Sequence, residues 1–474
     1  MIVIDYFKKI SNIPRGSGNE KEISDWIQNF AKERGLSVTQ DSVNNLVIKK
    51  PGTKGYENAD TIILQGHMDM VCEKNVGTQH DFLKDPIRTV IDGDIMKADG
   101  TTLGADNGIA VAMALALLDS SDIPHPPLEV LLTVDEEEGM MGAKALDGSL
   151  LSGRKLINLD SAEEGIFYVS CAGGLLIDLK LPMEYVELPE IYNVFTIRVK
   201  GLKGGHSGMD INKGRGNSNR LLGRVLHRMC SELDAYVASV SGGLKHNAIP
   251  RESEAFIAIR ADQSNKAAEI VKFFDSVFKN ELKVGDPGVE IEFVQAEKNI
   301  SRAFSKLATQ KVISVLCIAP LGVQDMSQDI PGLTEVSVNM GVVNTDEGTV
   351  KVTFCLRSSV ASKKDALRNQ IELVAGLLDA SYEVYGEYPE WEYNPNSALR
   401  NKLMEIYERM NGHKPKIKAV HAGLECGLLA QKLPGVDIIS FGPDISNAHS
   451  PDEYVSISSV ERVWDFFTHA LAEI

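Results

Sequence analysis

No CxxC pair, no apolar run long enough to cross a bilayer and no surplus of positive charge occur in this 474-residue chain. Its six cysteines, Cys72, Cys171, Cys230, Cys317, Cys355 and Cys426, are scattered, which excludes a disulfide scaffold and reads as reduced thiols in a cytoplasmic protein. The longest apolar run, Gly108–Leu118, falls far short of the ~20 residues that span a membrane. The first residues lack a basic region and turn polar at Lys8 and Lys9, so no signal peptide is expected. Lys and Arg number 49 against 66 Asp and Glu, a formal net charge of −17. Phosphate backbones and anionic membranes both demand clustered cations, so nucleic-acid and membrane-surface partners are excluded as expectations. Neither a GxSxG nor a P-loop motif is present, and the chain has no internal repeat or low-complexity segment.

What remains is an ordinary globular composition, 43 % hydrophobic and 24 % charged, long enough for two or three domains. The first third alternates helical and strand signals. Asn19 and Glu22 suggest a capping box, Ile23, Trp26, Ile27 and Phe30 mark one helical face, and Gly35 suggests a stop. Thr61–Leu64, Leu128–Val134 and Leu156–Leu159 read as buried strands, and Asp106–Leu118 reads as a buried helix. This rhythm predicts an α/β domain with a largely parallel sheet and helices on both faces. From about residue 186 strands alternate strictly: Phe195, Ile197 and Val199; Val336, Val338, Met340 and Val342; Val350, Val352, Phe354 and Leu356. Such strands predict an inserted α+β domain whose sheet has one differently covered face. The first texture returns near residue 384, with a helix at Ala398–Met410 and a strand at Val436–Phe441. The expected organisation is one domain from 1–185 and 384–474, with 186–383 inserted.

Each buried strand of the first domain runs into a polar signature. Ile62–Gln65 leads to His67-Met68-Asp69, Leu128–Val134 to Asp135-Glu136-Glu137-Glu138, and Leu156–Leu159 to Asp160. Val436–Phe441 leads through a loop to His449, and Asp106 opens the buried helix. Singly, each suits an ordinary role: a satisfied histidine, a solvated acidic face, an N-cap, a turn aspartate. Jointly they lie at the carboxyl ends of strands, where open α/β sheets place their ligand sites. Two histidines with three or more carboxylates and no sulfur suit Zn²⁺, Mn²⁺ or Co²⁺, and five ligands suggest two ions. His80, His125, His227, His246, His413 and His469 have no ligand-like company and read as surface or core residues.

The chain resembles the M20 family of dinuclear metallopeptidases, within it the aminoacyl-histidine dipeptidase group. The resemblance rests on Gly66-His67-Met68-Asp69, Gly100–Gly108, Glu136–Met140, Asn158–Ser161, Gly201–Gly208, Asn247–Pro250, His421–Gly427 and Gly442 through Glu453. It implies two divalent ions, zinc first with Co²⁺ or Mn²⁺ as alternatives. Asp106 would bridge them, His67 and Asp160 would complete one site, and Glu137 and His449 the other. It further implies Glu136 as general base and Asp69 as the carboxylate that orients His67. In the inserted lid and dimerisation domain, His206 matches an oxyanion-stabilising histidine, often acting across a dimer interface, and Asn247 and Arg357 match substrate-binding positions. His421 and Glu425 match positions lining the substrate pocket. The implied activity is hydrolysis of unblocked dipeptides, Xaa-His among them, by a cytoplasmic homodimer. N-acyl amino acid amidohydrolysis on the same scaffold, or a catalytically inactive binding protein, are the alternatives.

Overall fold

The computed structural model describes residues 1–297 and 300–474, which form two compact units. The first comprises Met1–Ser170, Tyr393–Ala419 and Leu424–Ile474; the second comprises Cys171–Glu392 and Val420–Gly423.

The first unit is built on an eight-stranded sheet. Its order is Ser37–Gln40, Leu46–Lys50, Leu128–Thr133, Ile62–His67, Lys155–Asn158, Asp437–Ser440, Ile166–Cys171 and Lys416–Val420. The four strands in the middle, from Leu128–Thr133 to Asp437–Ser440, are mutually parallel, so their carboxyl ends share one edge. Covered on both faces, these strands are buried almost continuously along their length instead of alternating. The helix Ala105–Asp119 is buried along nearly its whole length for the same reason, and Ile109, Val111, Leu115 and Leu117 are fully enclosed. Each such aliphatic side chain contributes about 1.5–3 kcal/mol by leaving water.

The helix Lys21–Glu33 starts differently from the capping-box expectation. Glu20 is the N-cap, no side chain caps the helix, and the Glu20 carboxylate instead accepts from Gly18 N and Asp135 N. Its end is as expected, with Gly35 at φ 68° closing the last turn.

The second unit is an antiparallel nine-stranded sheet. Tyr192–Lys200, Ser253–Arg260, Ala235–Gly242, Thr334–Asp346, Thr349–Ser358 and Gly173–Pro182 form its interior. The helices Ser218–Glu232, Ser264–Glu281, Lys306–Ile318 and Ala361–Leu377 join its apolar face in one core. The expected boundary after residue 185 falls at Ser170. Gly173–Pro182 pairs continuously with Thr349–Ser358, and its Leu175, Ile177, Leu179 and Leu181 alternate into this second core. Ser381–Tyr388 pairs with the same strand, which moves the return from residue 384 to Tyr393. The alternation of Val336, Val338 and Met340 breaks at a bulge, so that Val343 takes the core position expected of Val342. Among the described residues no helix is long and apolar enough to cross a membrane.

Candidate metal centre

The parallel edge of the first unit carries His67 as the last residue of its strand, Asp160 two residues beyond Asn158, and Glu136 and Glu137 on the turn after Leu128–Thr133. That turn is sharp: Asp135 takes a left-handed backbone at φ 53°, as does His449 at φ 63° on its own loop. Such non-glycine residues cost about 1–3 kcal/mol and cluster where geometry serves function. Asp106 sits in the first turn of Ala105–Asp119, and the Asp106–Asn107 peptide is cis.

These side chains converge. His67 Nε2 lies 3.4 Å from Asp106 Oδ1 and 3.5 Å from Asp160 Oδ1. His449 Nε2 lies 3.4 Å from Asp106 Oδ2 and 2.9 Å from Glu137 Oε2. The two Asp106 oxygens thus face two different histidines. Two ligands at ~2.0–2.1 Å from a tetrahedral ion lie roughly 3.3–3.4 Å apart, close to these separations. Glu137 Oε1 is buried without a hydrogen-bond partner, an acceptor left for a cation. Donor atoms of His67, Asp106 and Glu137 all fall within 4.8 Å of one another. The residues present therefore fit a divalent metal, with one ligand group of His67, Asp160 and Asp106 and another of His449, Glu137 and Asp106.

The electrostatics agree with that reading. Burial opposes charge on His67, yet Asp160, Asp106 and Asp69 outweigh it and hold the imidazole pKa well above its usual value. Hydrogen bonds to Asp106 and Glu137 push half-exposed His449 up to about 10. Burial raises Glu137 and Asp160, whereas Asp106 is held low because its two histidines outweigh burial. A divalent cation answers the same excess of negative charge that raises both histidines.

Asp69 is fully buried behind His67. It accepts from Glu136 N, Glu137 N and Ser17 Oγ, at 3.1, 3.2 and 2.8 Å, and lies 3.2 Å from His67 Nδ1. Against burial, His67 and these donors hold its pKa at about 2, so it remains a carboxylate and orients the ring through Nδ1. Glu136 differs from Glu137: its carboxylate makes no hydrogen bond among the described residues, and burial raises its pKa well above the ordinary range. Glu425 is buried beside the same edge. It accepts from Gln65 Nε2 at 2.7 Å and Thr133 Oγ1 at 2.8 Å, and burial pushes it to about 7.

The second unit holds a polar group of its own on the face opposite its core. Arg357, 7 % exposed, donates from Nη1 to the Tyr388 hydroxyl at 2.8 Å and has no carboxylate partner among the described residues. His421 Nε2 lies 2.7 Å from Ser337 Oγ, and its Nδ1 is buried and unpartnered. Burial, Arg357 and His206 depress His421 to about 3, so it is neutral. His206 Nδ1 accepts from Gly208 N and Met209 N at 3.2 and 3.1 Å, which fixes the hydrogen on Nε2. Burial and Arg357 lower its pKa also. Asn247 is exposed on the loop before Ala248–Ile249, and its carbonyl accepts from Ser207 N at 2.9 Å.

Arg15, Ser17 and Glu453 have structural company here that the sequence did not assign them. Glu453 closes the Gly442–Glu453 stretch that carries the resemblance but has no role there, and Arg15 precedes Gly16-Ser17-Gly18. Gly104 and Gly108, flanking Asp106, were the available signal, because a Cβ at either would lie 2.5 Å from Arg15 Nη2. His125, which the sequence leaves as a surface or core residue, is buried against the Pro126 carbonyl.

Residues 63–473 match the description of peptidase family M20/M25/M40. The chain is 41 % identical over 480 residues to the cytosol non-specific dipeptidase of Escherichia coli (strain K12), covering 99 % of this chain and 97 % of that protein. Its structure is similar to the crystal structure of aminoacylhistidine dipeptidase from Vibrio alginolyticus, with a TM-score of 0.96 and 40 % identity over 100 % and 96 % of the two chains. Aminopeptidase PepT from Bacillus cereus shares the fold, at a TM-score of 0.58 and 16 % identity over 100 % and 98 %. With His67, Asp106, Glu137, Asp160 and His449 all inside the matched span, this chain belongs to peptidase family M20/M25/M40.

Proposed function

We propose that this chain is a metal-dependent dipeptidase that cleaves unblocked dipeptides, including those ending in histidine. The observation that carries the proposal is Asp106, whose two oxygens each face a separate histidine–carboxylate pair at the end of the parallel sheet. Full-length similarity to two dipeptidases supports the substrate class.

His67, Asp160 and Asp106 would hold one divalent ion, and His449, Glu137 and Asp106 the second, zinc by preference with Co²⁺ or Mn²⁺ as substitutes. Bound there, such ions supply Lewis acidity toward water and the scissile carbonyl. Glu136, free of hydrogen bonds and raised in pKa, takes the proton from the attacking water. The same carboxyl then delivers it to the leaving amine, so water adds across the C–N bond and an acid and an amine result. Asp69 keeps His67 in one tautomer. His206, with its hydrogen fixed on Nε2, stabilises the oxyanion. Arg357, a buried guanidinium without a carboxylate, takes the substrate's C-terminal carboxylate, and Asn247 and Glu425 contribute further substrate contacts. The protein works as a cytoplasmic homodimer joined through the second unit, with His206 serving the partner's centre.

A substrate panel tests this reading. Metal-loaded protein should hydrolyse carnosine and other free dipeptides and spare tripeptides and N-acetyl amino acids. Preferential release of acetate from N-acetyl amino acids would instead establish the amidohydrolase. Mixed dimers of His206→Ala and Glu136→Gln chains should regain activity; no recovery after verified subunit exchange would contradict action across the dimer.

A further inference from the structure

Arg15 is a guanidinium only 2 % exposed that makes no ion pair among the described residues. Its fork is spent on main-chain carbonyls. Nη1 donates to Met68 O and Asp69 O at 3.0 and 3.2 Å, and Nη2 donates to Gly104 O at 2.5 Å. The first two carbonyls belong to the turn that follows His67; the third belongs to the turn that presents Asp106. One side chain therefore ties together the two segments whose donors must stand 3.4 Å apart.

Glu453 works on the other side of the same turn. Its carboxylate is 2 % exposed and accepts four backbone hydrogens: Leu103 N and Gly104 N on Oε2 at 2.7 and 2.9 Å, Ala105 N and Asp106 N on Oε1 at 2.8 and 3.2 Å. It thus closes the positive end of the helix Ala105–Asp119 from a segment four residues beyond His449. The chain also reserves space for this arrangement. Gly104 and Gly108 bracket Asp106, and a Cβ at either would lie 2.5 Å from Arg15 Nη2.

We infer that Arg15 and Glu453 are positioning residues of the metal centre, a buried brace that holds the His67, Asp106 and His449 segments in register so that Asp106 can serve two ions. The inference rests on the metal-centre reading given above. A lysine cannot replace the fork, because one ammonium cannot reach the three carbonyls in the same planar geometry. A glutamine at 453 keeps the shape but offers one acceptor oxygen and turns an NH₂ toward backbone donors.

The test compares full-length wild type with Arg15→Met, Arg15→Lys and Glu453→Gln. Each is stripped of metal and titrated with Co²⁺ well below its own unfolding temperature, and the visible ligand-field spectrum, Co²⁺ affinity, kcat and KM are read. Loss of an outer partner of a metal site typically weakens metal binding about 10–100-fold. That weakening is expected in Arg15→Met and Glu453→Gln, with an altered cobalt spectrum, a lower kcat and a little-changed KM for a dipeptide. Arg15→Lys should recover only part. If Arg15→Met does not fold, Glu453→Gln and Arg15→Lys carry the comparison. Variants that unfold at lower temperature yet bind Co²⁺ with wild-type affinity and spectrum would overturn the brace. Failure of the wild type itself to bind Co²⁺ would overturn the metal-centre reading instead.

Discussion

The histidines of this protein's two polar regions shift in opposite directions, although burial disfavours their charged form in both. At the parallel edge of the first unit, carboxylates outnumber histidines, and His67 and His449 are driven toward the charged form. On the polar face of the second unit, Arg357 is the charge, and His206 and His421 are driven toward the neutral form. The first region calls for cations; the second calls for an anion. A hydrolase that binds metal ions and a substrate carboxylate needs both, and the difference shows how one residue type serves both roles through its neighbours alone.

Substitutions break this comparison at different points. The largest effect is expected at Glu136. Glu136→Gln removes the proton acceptor but no proposed ligand, so turnover should fall ~10²–10⁴-fold while elemental analysis finds the metal content of the wild type. Arg357→Met should follow, with a loss on the order of 2–5 kcal/mol for free dipeptides. C-terminally amidated dipeptides should lose far less, and paired kinetics on acid and amide substrates decide; equal losses would mean that Arg357 supports the fold and not the carboxylate.

A pH effect comes third. His421 is depressed to about 3 in the folded chain, below the ~6.5 of an unfolded histidine. Above pH 6.5 both states are neutral and the stability is fully present. As pH falls, the unfolded chain takes up a proton that the folded chain refuses, so stability drops by about 2 kcal/mol between pH 6.5 and 5. Denaturant unfolding of the wild type should show this acid slope, and His421→Gln should flatten it. The smallest effect is expected from Ser17→Ala. Asp69 keeps His67 and two backbone donors, so losing this one hydrogen bond should cost about 1 kcal/mol, read as a roughly fivefold weaker Co²⁺ affinity. A loss equal to that of Asp69→Ala would mean the hydroxyl, not the backbone, holds the carboxylate.

The first unit was the more legible in sequence. Its central parallel strands are buried on both faces, so each appears as an apolar run, and the parallel arrangement puts every following polar residue on one edge. That rule singles out His67, Glu136, Glu137 and Asp160 as candidates, whereas the roles proposed for each came only with the family resemblance. Residues 173–182 were expected in the first domain, although Leu175, Ile177, Leu179 and Leu181 alternate into the second core. Which sheet a strand joins is decided by hydrogen bonding to Thr349–Ser358, far away in sequence. Arg15 and Glu453 were invisible as a pair for a similar reason. Their partners are main-chain carbonyls and amides, which carry no residue identity, and only the glycines around Asp106 register the guanidinium. Arg357 could be placed on the polar face of its strand, but its lack of a carboxylate partner belongs to the tertiary structure.

The central claim is that Asp106 joins two metal positions in a hydrolytic centre. It is tested most directly by metal stoichiometry. Metal-stripped wild-type protein, loaded with Zn²⁺ and passed through a desalting column, should retain two ions per chain, and Asp106→Ala should lose both metal and dipeptide hydrolysis. One ion or none per wild-type chain, or an Asp106→Ala protein that keeps two ions and full activity, would contradict the account.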